Sequence, residues 1–298
     1  MNLQIDTNPQ KINLSKKITY FTPQYLQIQS LQNLQLFSND SFFIPINSSD
    51  SKHCSIEKSP FGSYLCHKNE TLSSFAKFEK EVILALNDNS KTELFIKHPS
   101  PFYSDYVDRD WLTKVGYELV YNDCNQHIHL TFEWEEQLHK MQLRKLKALT
   151  ENGFEFKSIS HSNIEVVHNF LRVCRQSQGL ELNISFEKLK LLLGALPDRY
   201  DFFGVYREDK ISAVCVSVRV TEKVAYYYLA GTSPLFRSQS PMVLLISGMV
   251  NFYRKEGYEI FDLGVSSFQG RPQETLRSFK SRMGAVETQK PSFAKVLI

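Results

Sequence analysis

Residues 224–264 read VAYYYLAGTSPLFRSQSPMVLLISGMVNFYRKEGYEIFDLG. An aromatic strand, Tyr226-Tyr227-Tyr228, leads through a polar loop into an apolar helix. A second strand follows and ends in Asp262-Leu263-Gly264. A strand–helix–strand crossover joins parallel strands. Met242, Leu245, Ile246, Met249 and Phe252 recur at helical spacing, and Val243, Leu244 and Val250 make the other side apolar as well. Such a helix is buried on most of its circumference. Ser240 and Pro241 stand where a helix start wants a cap and a first-turn proline, and Gly257 stands where it stops.

Two features beside this unit carry candidate chemistry. The loop Gly231 to Ser240 feeds the helix N-terminus, where free N–H groups and the positive dipole end favour an anion. Arg237 lies in that loop, either as a ligand for the anion or as a solvated side chain. A short helix over Glu274 to Met283 puts Arg277 and Lys280 on one face, with Leu276, Phe279 and Met283 beside them. Lys280 is expected to point at the cleft between the parallel strands, where a cation would stabilise charge on a carbonyl or bind phosphate. The alternative is an ordinary basic surface helix, with Arg282 off to one side.

Working outward, strands and helices alternate through two successive halves, which points to two mixed α/β domains meeting near residue 152. The first half carries a strand over Ser41 to Ile46, a helix over Thr71 to Leu86 and a strand over Thr92 to Lys97, stopped by His98-Pro99-Ser100-Pro101. A short helix spans Asp110 to Val115. Strands at Tyr117–Tyr121 and His127–Phe132 are separated by the turn-like Asn122-Asp123-Cys124-Asn125, and one long polar helix runs from Glu133 or Trp134 to Thr150. The second half carries a strand over Phe154 to Ile159, two helices, and a meander of three strands over residues 202–230 before the opening unit.

Composition narrows the function classes. Of 298 residues, 42% are apolar and 22% charged, the balance of a globular protein. No apolar run approaches the roughly 20 residues of a membrane span. The start, MNLQIDTNPQ, has no basic-then-apolar secretory pattern. The expected location is therefore the cytoplasm, without a transmembrane segment. Five cysteines, all spaced singly, form neither a zinc motif nor a disulfide framework. His127 and His129 share a strand face but have no third ligand in view, so no metal is expected. A net charge of +3 is too mild to imply nucleic-acid binding by itself.

Three passages resemble the GNAT acyltransferase superfamily, and within it the FemAB-like group with tandem GNAT-type domains. They are Phe261-Asp262-Leu263-Gly264 with Ser266-Ser267; Gly270 through Leu276-Arg277-Ser278-Phe279-Lys280-Ser281-Arg282-Met283-Gly284, similar to "G…L..FK..FG"; and Ser59-Pro60-Phe61-Gly62-Ser63-Tyr64, similar to "SPFGSYGG". Arg144, Lys145, Lys147 and Gly153 also match the group's "RR.LKKA...G". The resemblance covers most of residues 55–290. It implies an α+β fold of two tandem GNAT-like domains, residues 1–152 and 153–298, each a mixed, mostly antiparallel sheet flanked by helices. The active site would lie in the second.

The resemblance also implies an acyl- or aminoacyltransferase acting on an amine of a cell-envelope precursor or amino sugar. The catalytic candidates are Lys280 as electrostatic stabiliser, Asp262 as orienter or proton acceptor, and Tyr228 as proton donor. The plainer readings are a turn acceptor near Gly264 for Asp262 and a strand residue for Tyr228. Donor or substrate would be bound by Arg237, Ser240, Arg277, Arg282, Arg144 and Lys145. No tightly bound cofactor is implied; acyl-CoA or aminoacyl-tRNA serves as co-substrate. Expected partners are a small-molecule, lipid-linked or nucleotide-sugar acceptor, with tRNA and peripheral membrane contact as further candidates. Acyl-CoA enzymes of the superfamily carry R/Q-x-x-G-x-G/A at the helix start, where this chain has Arg237-Ser238-Gln239-Ser240-Pro241-Met242. Pro241 has no N–H to offer a pyrophosphate. FemAB-like enzymes that use aminoacyl-tRNA also lack that motif. A GNAT-like fold that binds without catalysing is the competing reading.

Overall fold

The computed structural model describes residues 4–6, 17–29, 33–48, 52–56, 59–86, 92–130 and 133–297. The end of the strand expected at 127–132 lies outside them. In chain order the elements are β1 (Gln4–Asp6), α1 (Pro23–Ile28), β2 (Leu34–Ser38), β3 (Phe42–Ser48), β4 (His53–Cys54), β5 (Leu65–Cys66), α2 (Leu72–Leu86), β6 (Glu93–Lys97), α3 (Arg109–Lys114) and β7 (Glu118–His129). There follow α4 (Trp134–Gln137), α5 (Lys140–Glu151), β8 (Phe154–Ile159), α6 (Ile164–Gln176), α7 (Phe186–Ala195), β9 (Tyr200–Arg207), β10 (Lys210–Arg219) and β11 (Val224–Thr232). The chain closes with α8 (Met242–Lys255), β12 (Ile260–Val265), the hairpin β13 (Ser267–Phe268) and β14 (Arg271–Pro272), α9 (Glu274–Arg282) and β15 (Val286–Val296).

The chain divides into two compact units: Met1–Asn125 with Ser267–Pro272 and Thr288–Ile298, and Gln126–Ser266 with Gln273–Glu287. The boundary read from the sequence, near residue 152, differs for two physical reasons. Leu149 of α5 belongs to the same buried cluster as Phe154, Phe203 and Val243, so α5 goes with the second unit. The end of β15 pairs antiparallel with β6, Phe293 opposite Ile96, so the C-terminal strand returns to the first.

In the first unit, β1, β2 and β3 form an antiparallel run, β4 pairs parallel with β6, and α2 lies between those two strands in the chain. Phe75, Phe78, Val82 and Leu86 put the apolar stripe of α2 into a core with Phe42, Ile44 and Ile96. Strand β3 runs through Pro45 to Ser48, two residues beyond the expected end. The turn expected at Asn122–Asn125 is absent, and β7 is one strand of 12 residues. Its turn-forming side chains are used elsewhere. Asp123 accepts from the Ser267 hydroxyl and the Gly270 N–H, and the Ser267 Oγ accepts from the Cys124 N–H at 2.8 Å.

In the second unit β8, β9, β10 and β11 form an antiparallel meander, and β12 joins β11 in parallel. Helix α8 buries Val243, Leu245, Ile246, Met249, Val250 and Tyr253. It approaches β8 so closely that a Cβ on Gly248 would stand 2.2 Å from the Phe156 ring. The long polar helix expected up to residue 150 is instead α4 and α5. They are broken at Leu138-His139, where His139 Nδ1 caps the Met141 N–H at 3.2 Å. Among the described residues no helix is long and apolar enough to cross a membrane.

Candidate active site

The parallel pairing of β11 and β12 is short: Val224 with Ile260, Ala225 with Phe261, Tyr226 with Asp262. Strand β11 continues to Thr232 and β12 to Val265, so their carboxyl ends run on beyond the shared register. Ligands of open α/β sheets gather at such carboxyl ends.

Gly264 is the focus of what lies there. Its φ of +74° belongs to the left-handed region, which a residue without Cβ adopts freely. Asp262, 2% exposed, accepts the Gly264 N–H at Oδ1, 2.9 Å. Lys280, 4% exposed on α9, donates from Nζ to the carbonyl of Gly264 at 2.9 Å and to that of Val265 at 2.8 Å. The Tyr226 hydroxyl lies 3.1 Å from where a Gly264 Cβ would stand, so glycine also makes room for the phenol. Burial, and next the Asp262 carboxylate, push the Tyr226 phenol well above its ordinary range, so it stays protonated.

Helix α9 is fixed by a buried clamp. Gln126 donates from Nε2 to the Arg277 carbonyl at 3.1 Å and to Ser281 Oγ at 2.9 Å, while its Oε1 accepts from Ser266 Oγ at 2.6 Å. The clamp ties the end of β12 to the helix that carries Lys280. The indole of Trp134 adds a bond to the Met283 carbonyl at 2.8 Å.

The second cluster is at the start of α8. Ser240 is left-handed, φ +60°, and does not cap the helix; no side chain does. Its hydroxyl instead accepts from Lys145 Nζ of α5 at 3.0 Å. An ammonium therefore stands beside an uncapped helix N-terminus, an arrangement suited to a phosphate.

The sequence candidates thus sort into groups. Lys280 and Asp262 converge on Gly264, and Lys145 and Ser240 meet at α8. Tyr228 is half-buried, its ring 6.4 Å from that of Tyr226 and raised by burial; the phenol beside Asp262 and Gly264 is Tyr226. Arg277 does not share the direction of Lys280: it holds Glu287 in a two-pronged ion pair at 2.6 and 2.8 Å. Arg237 turns toward Ser177 Oγ, 3.4 Å away, at the end of α6. Arg144 and Arg282 are exposed. His127 and His129 form a pair, Nε2 to Nε2 3.2 Å. Among the described residues, no group of three or more His, Cys, Asp or Glu could hold a metal ion. Sequence reasoning missed Tyr226 and Gln126. The tyrosine register would have needed the β11–β12 pairing, and Gln126 sits in the stretch read as the edge of a turn.

Residues 137–271 match the family model of the GNAT acetyltransferase domain. No curated protein matches the chain. Among solved structures, FemX shares the fold over 100% of this chain and 98% of its own, with 11% identity and a TM-score of 0.71. The C-terminal domain of a putative lysylphosphatidylglycerol synthetase from Agrobacterium fabrum covers 97% and 93%, at 14% identity and 0.67. L-PGS from Bacillus licheniformis covers 88% and 84%, at 13% identity and 0.61. Residues 137–271 thus match a GNAT domain, and the chain shares the fold of FemX along its length.

Proposed function

We propose that this protein is an N-acyltransferase that moves an acyl or aminoacyl group onto an amine of a cell-envelope precursor or an amino sugar. The observation that carries the reading is the convergence of buried Lys280 and Asp262 on Gly264, at the carboxyl end of β12 in the matched domain. The envelope acceptor is supported by likeness to FemX and to lysylphosphatidylglycerol synthetases, which is a likeness of fold.

The reaction needs a neutral amine, an oriented carbonyl and a stabilised oxyanion. The amine nitrogen bonds to the carbonyl carbon, and the donor's ester or thioester bond breaks. In our reading the positive charge of Lys280, held in place by two carbonyls, faces the developing oxyanion. Asp262 fixes the Gly264 turn that shapes this end of the strand. Tyr226, protonated and adjacent, gives its proton to the leaving oxygen or sulfur and regains one from solvent, which takes up the amine's proton. Tyr226 takes the donor role that the sequence suggested for Tyr228. Lys145 and Ser240 seat a donor phosphate at α8, in CoA or at the end of an aminoacyl-tRNA.

The test is single-turnover transfer to an amine acceptor, with acetyl-CoA and with a charged tRNA pool as donors. Transfer from either supports the reading and names the donor. Binding of a donor without transfer favours the non-catalytic module, for which Pro241 at the helix start speaks.

A further inference from the structure

One pair of metal-ligating side chains lies outside the chemistry above. His127 and His129 stand two residues apart on β7, which gives them a shared face. The structure adds that the rings meet at their outer nitrogens, with Nε2 3.2 Å from Nε2. The ring centroids are 4.7 Å apart and the ring planes cross at 73°, so the imidazoles meet at an angle rather than end to end.

That separation has a chemical meaning. Zinc sits about 2.0–2.1 Å from imidazole nitrogens, so an ion bonded to both Nε2 atoms would subtend about 100–105° at their 3.2 Å spacing. A tetrahedral centre asks for about 109°. The two nitrogens are thus already at the ligand–ligand separation of a zinc centre. The plainer arrangement, one N–H shared between the rings, leaves them at the long end of the hydrogen-bond range. Burial, with help from His129, lowers His127 to about 4, so its imidazole is neutral at neutral pH, as a metal ligand must be.

The strand fixes the rings and leaves a way in. Ile128 and Leu130 enter the same buried cluster as Phe261 and Leu263. Alternation then turns His127 and His129, and Asp262 of the neighbouring β12, to the opposite face. The strand pair is tied where the Leu130 N–H bonds to the Glu259 carbonyl at 2.7 Å. His127 is 3% exposed and His129 is half-buried, so an ion reaches the pair past His129. Among the described residues no third His, Cys, Asp or Glu completes the set, so the site is open. Its other positions belong to water or to a donor atom from outside. Imidazole nitrogens suit zinc and its late transition-metal neighbours, whereas magnesium wants oxygen ligands.

We propose that His127 and His129 form an exchangeable two-imidazole zinc site on this face of the second unit. When zinc binds, the ring that donated from Nε2 carries its proton on Nδ1 instead, and both Nε2 lone pairs face the ion. The site stands whether or not the unit transfers acyl groups.

The experiment is titration of the full chain with zinc chloride, followed by calorimetry and by NMR of the histidine ring protons, with magnesium chloride as the control. Saturable zinc binding is expected, with the ring signals of two histidines shifting together. His129→Gln should weaken it more than about tenfold. His129 is the more exposed member of the pair, so this variant should keep the fold, which circular dichroism checks. His98→Gln, in the first unit, should leave the zinc affinity unchanged. The proposal is overturned by any of three results: no saturable zinc binding, a folded His129→Gln variant that binds zinc as tightly as the parent, or magnesium binding of equal affinity.

Discussion

Lys280 and Asp262 hold the same residue from opposite sides. The lysine donates to the Gly264 carbonyl at 2.9 Å, and the aspartate accepts the Gly264 N–H at 2.9 Å. A left-handed glycine at the end of a strand is thus fixed by a buried cation and a buried carboxylate on two different elements. Charge placed this way needs no reorganisation when the reaction develops its own charge.

Tyr226→Phe removes the hydroxyl beside Gly264 and keeps the ring. If Tyr226 is the proton donor, transfer slows about 100-fold while the fold is kept. Tyr228→Phe should have little effect. Parallel rate measurements on the two variants decide which tyrosine acts. Because the Tyr226 phenol is raised, its deprotonation should leave no alkaline limb in the rate profile below pH 10.

Gln126→Leu cuts three hydrogen bonds between α9, Ser266 and the end of β7. A destabilisation of about 1–3 kcal/mol is expected in urea unfolding. The acyl-transfer rate should fall with KM unchanged, because Gln126 positions the helix that carries Lys280 and touches no substrate. A change in KM alone would contradict this.

These sites show what was legible in the sequence. Periodicity alone placed α8, α9 and the β11–β12 crossover, and the Lys280–Asp262 neighbourhood followed from the motif around Phe279-Lys280. Side-chain direction did not follow. Arg277 and Lys280 share a helix face by spacing, yet Glu287, ten residues on, holds Arg277 on the surface. Nor could spacing show that Asp123 and Cys124 bond to a hairpin more than 140 residues away and so remain in a strand.

Gly248→Ala tests the packing that seats α8. The added methyl would meet the Phe156 ring, and a loss of about 1–3 kcal/mol is expected. Phe156→Leu in the same chain should recover part of it, giving a coupling energy in a double-mutant cycle. Additive losses would mean that the two do not meet.

Acid should weaken the fold through its buried histidines. Burial lowers both His98 and His127 to about 4, the latter with help from His129. Above the ordinary value of 6.5 both folded and unfolded states hold neutral imidazoles, so the stability is complete. As pH falls below 6.5 only the unfolded chain takes up protons, and stability is lost until about pH 4. For His98 the loss reaches up to about 3 kcal/mol. Urea melts at pH 7, 5.5 and 4.5 of the parent and of His98→Gln should converge as pH falls. Parallel curves would remove His98 from the acid response.

The most direct test of the acyl-transfer site is Lys280→Met, assayed in single turnover with its circular dichroism recorded alongside. The methionine keeps the length of the side chain and removes the charge. The account predicts a folded protein whose transfer rate is down by about 100- to 1,000-fold. A folded Lys280→Met variant that transfers at the parent's rate would contradict it.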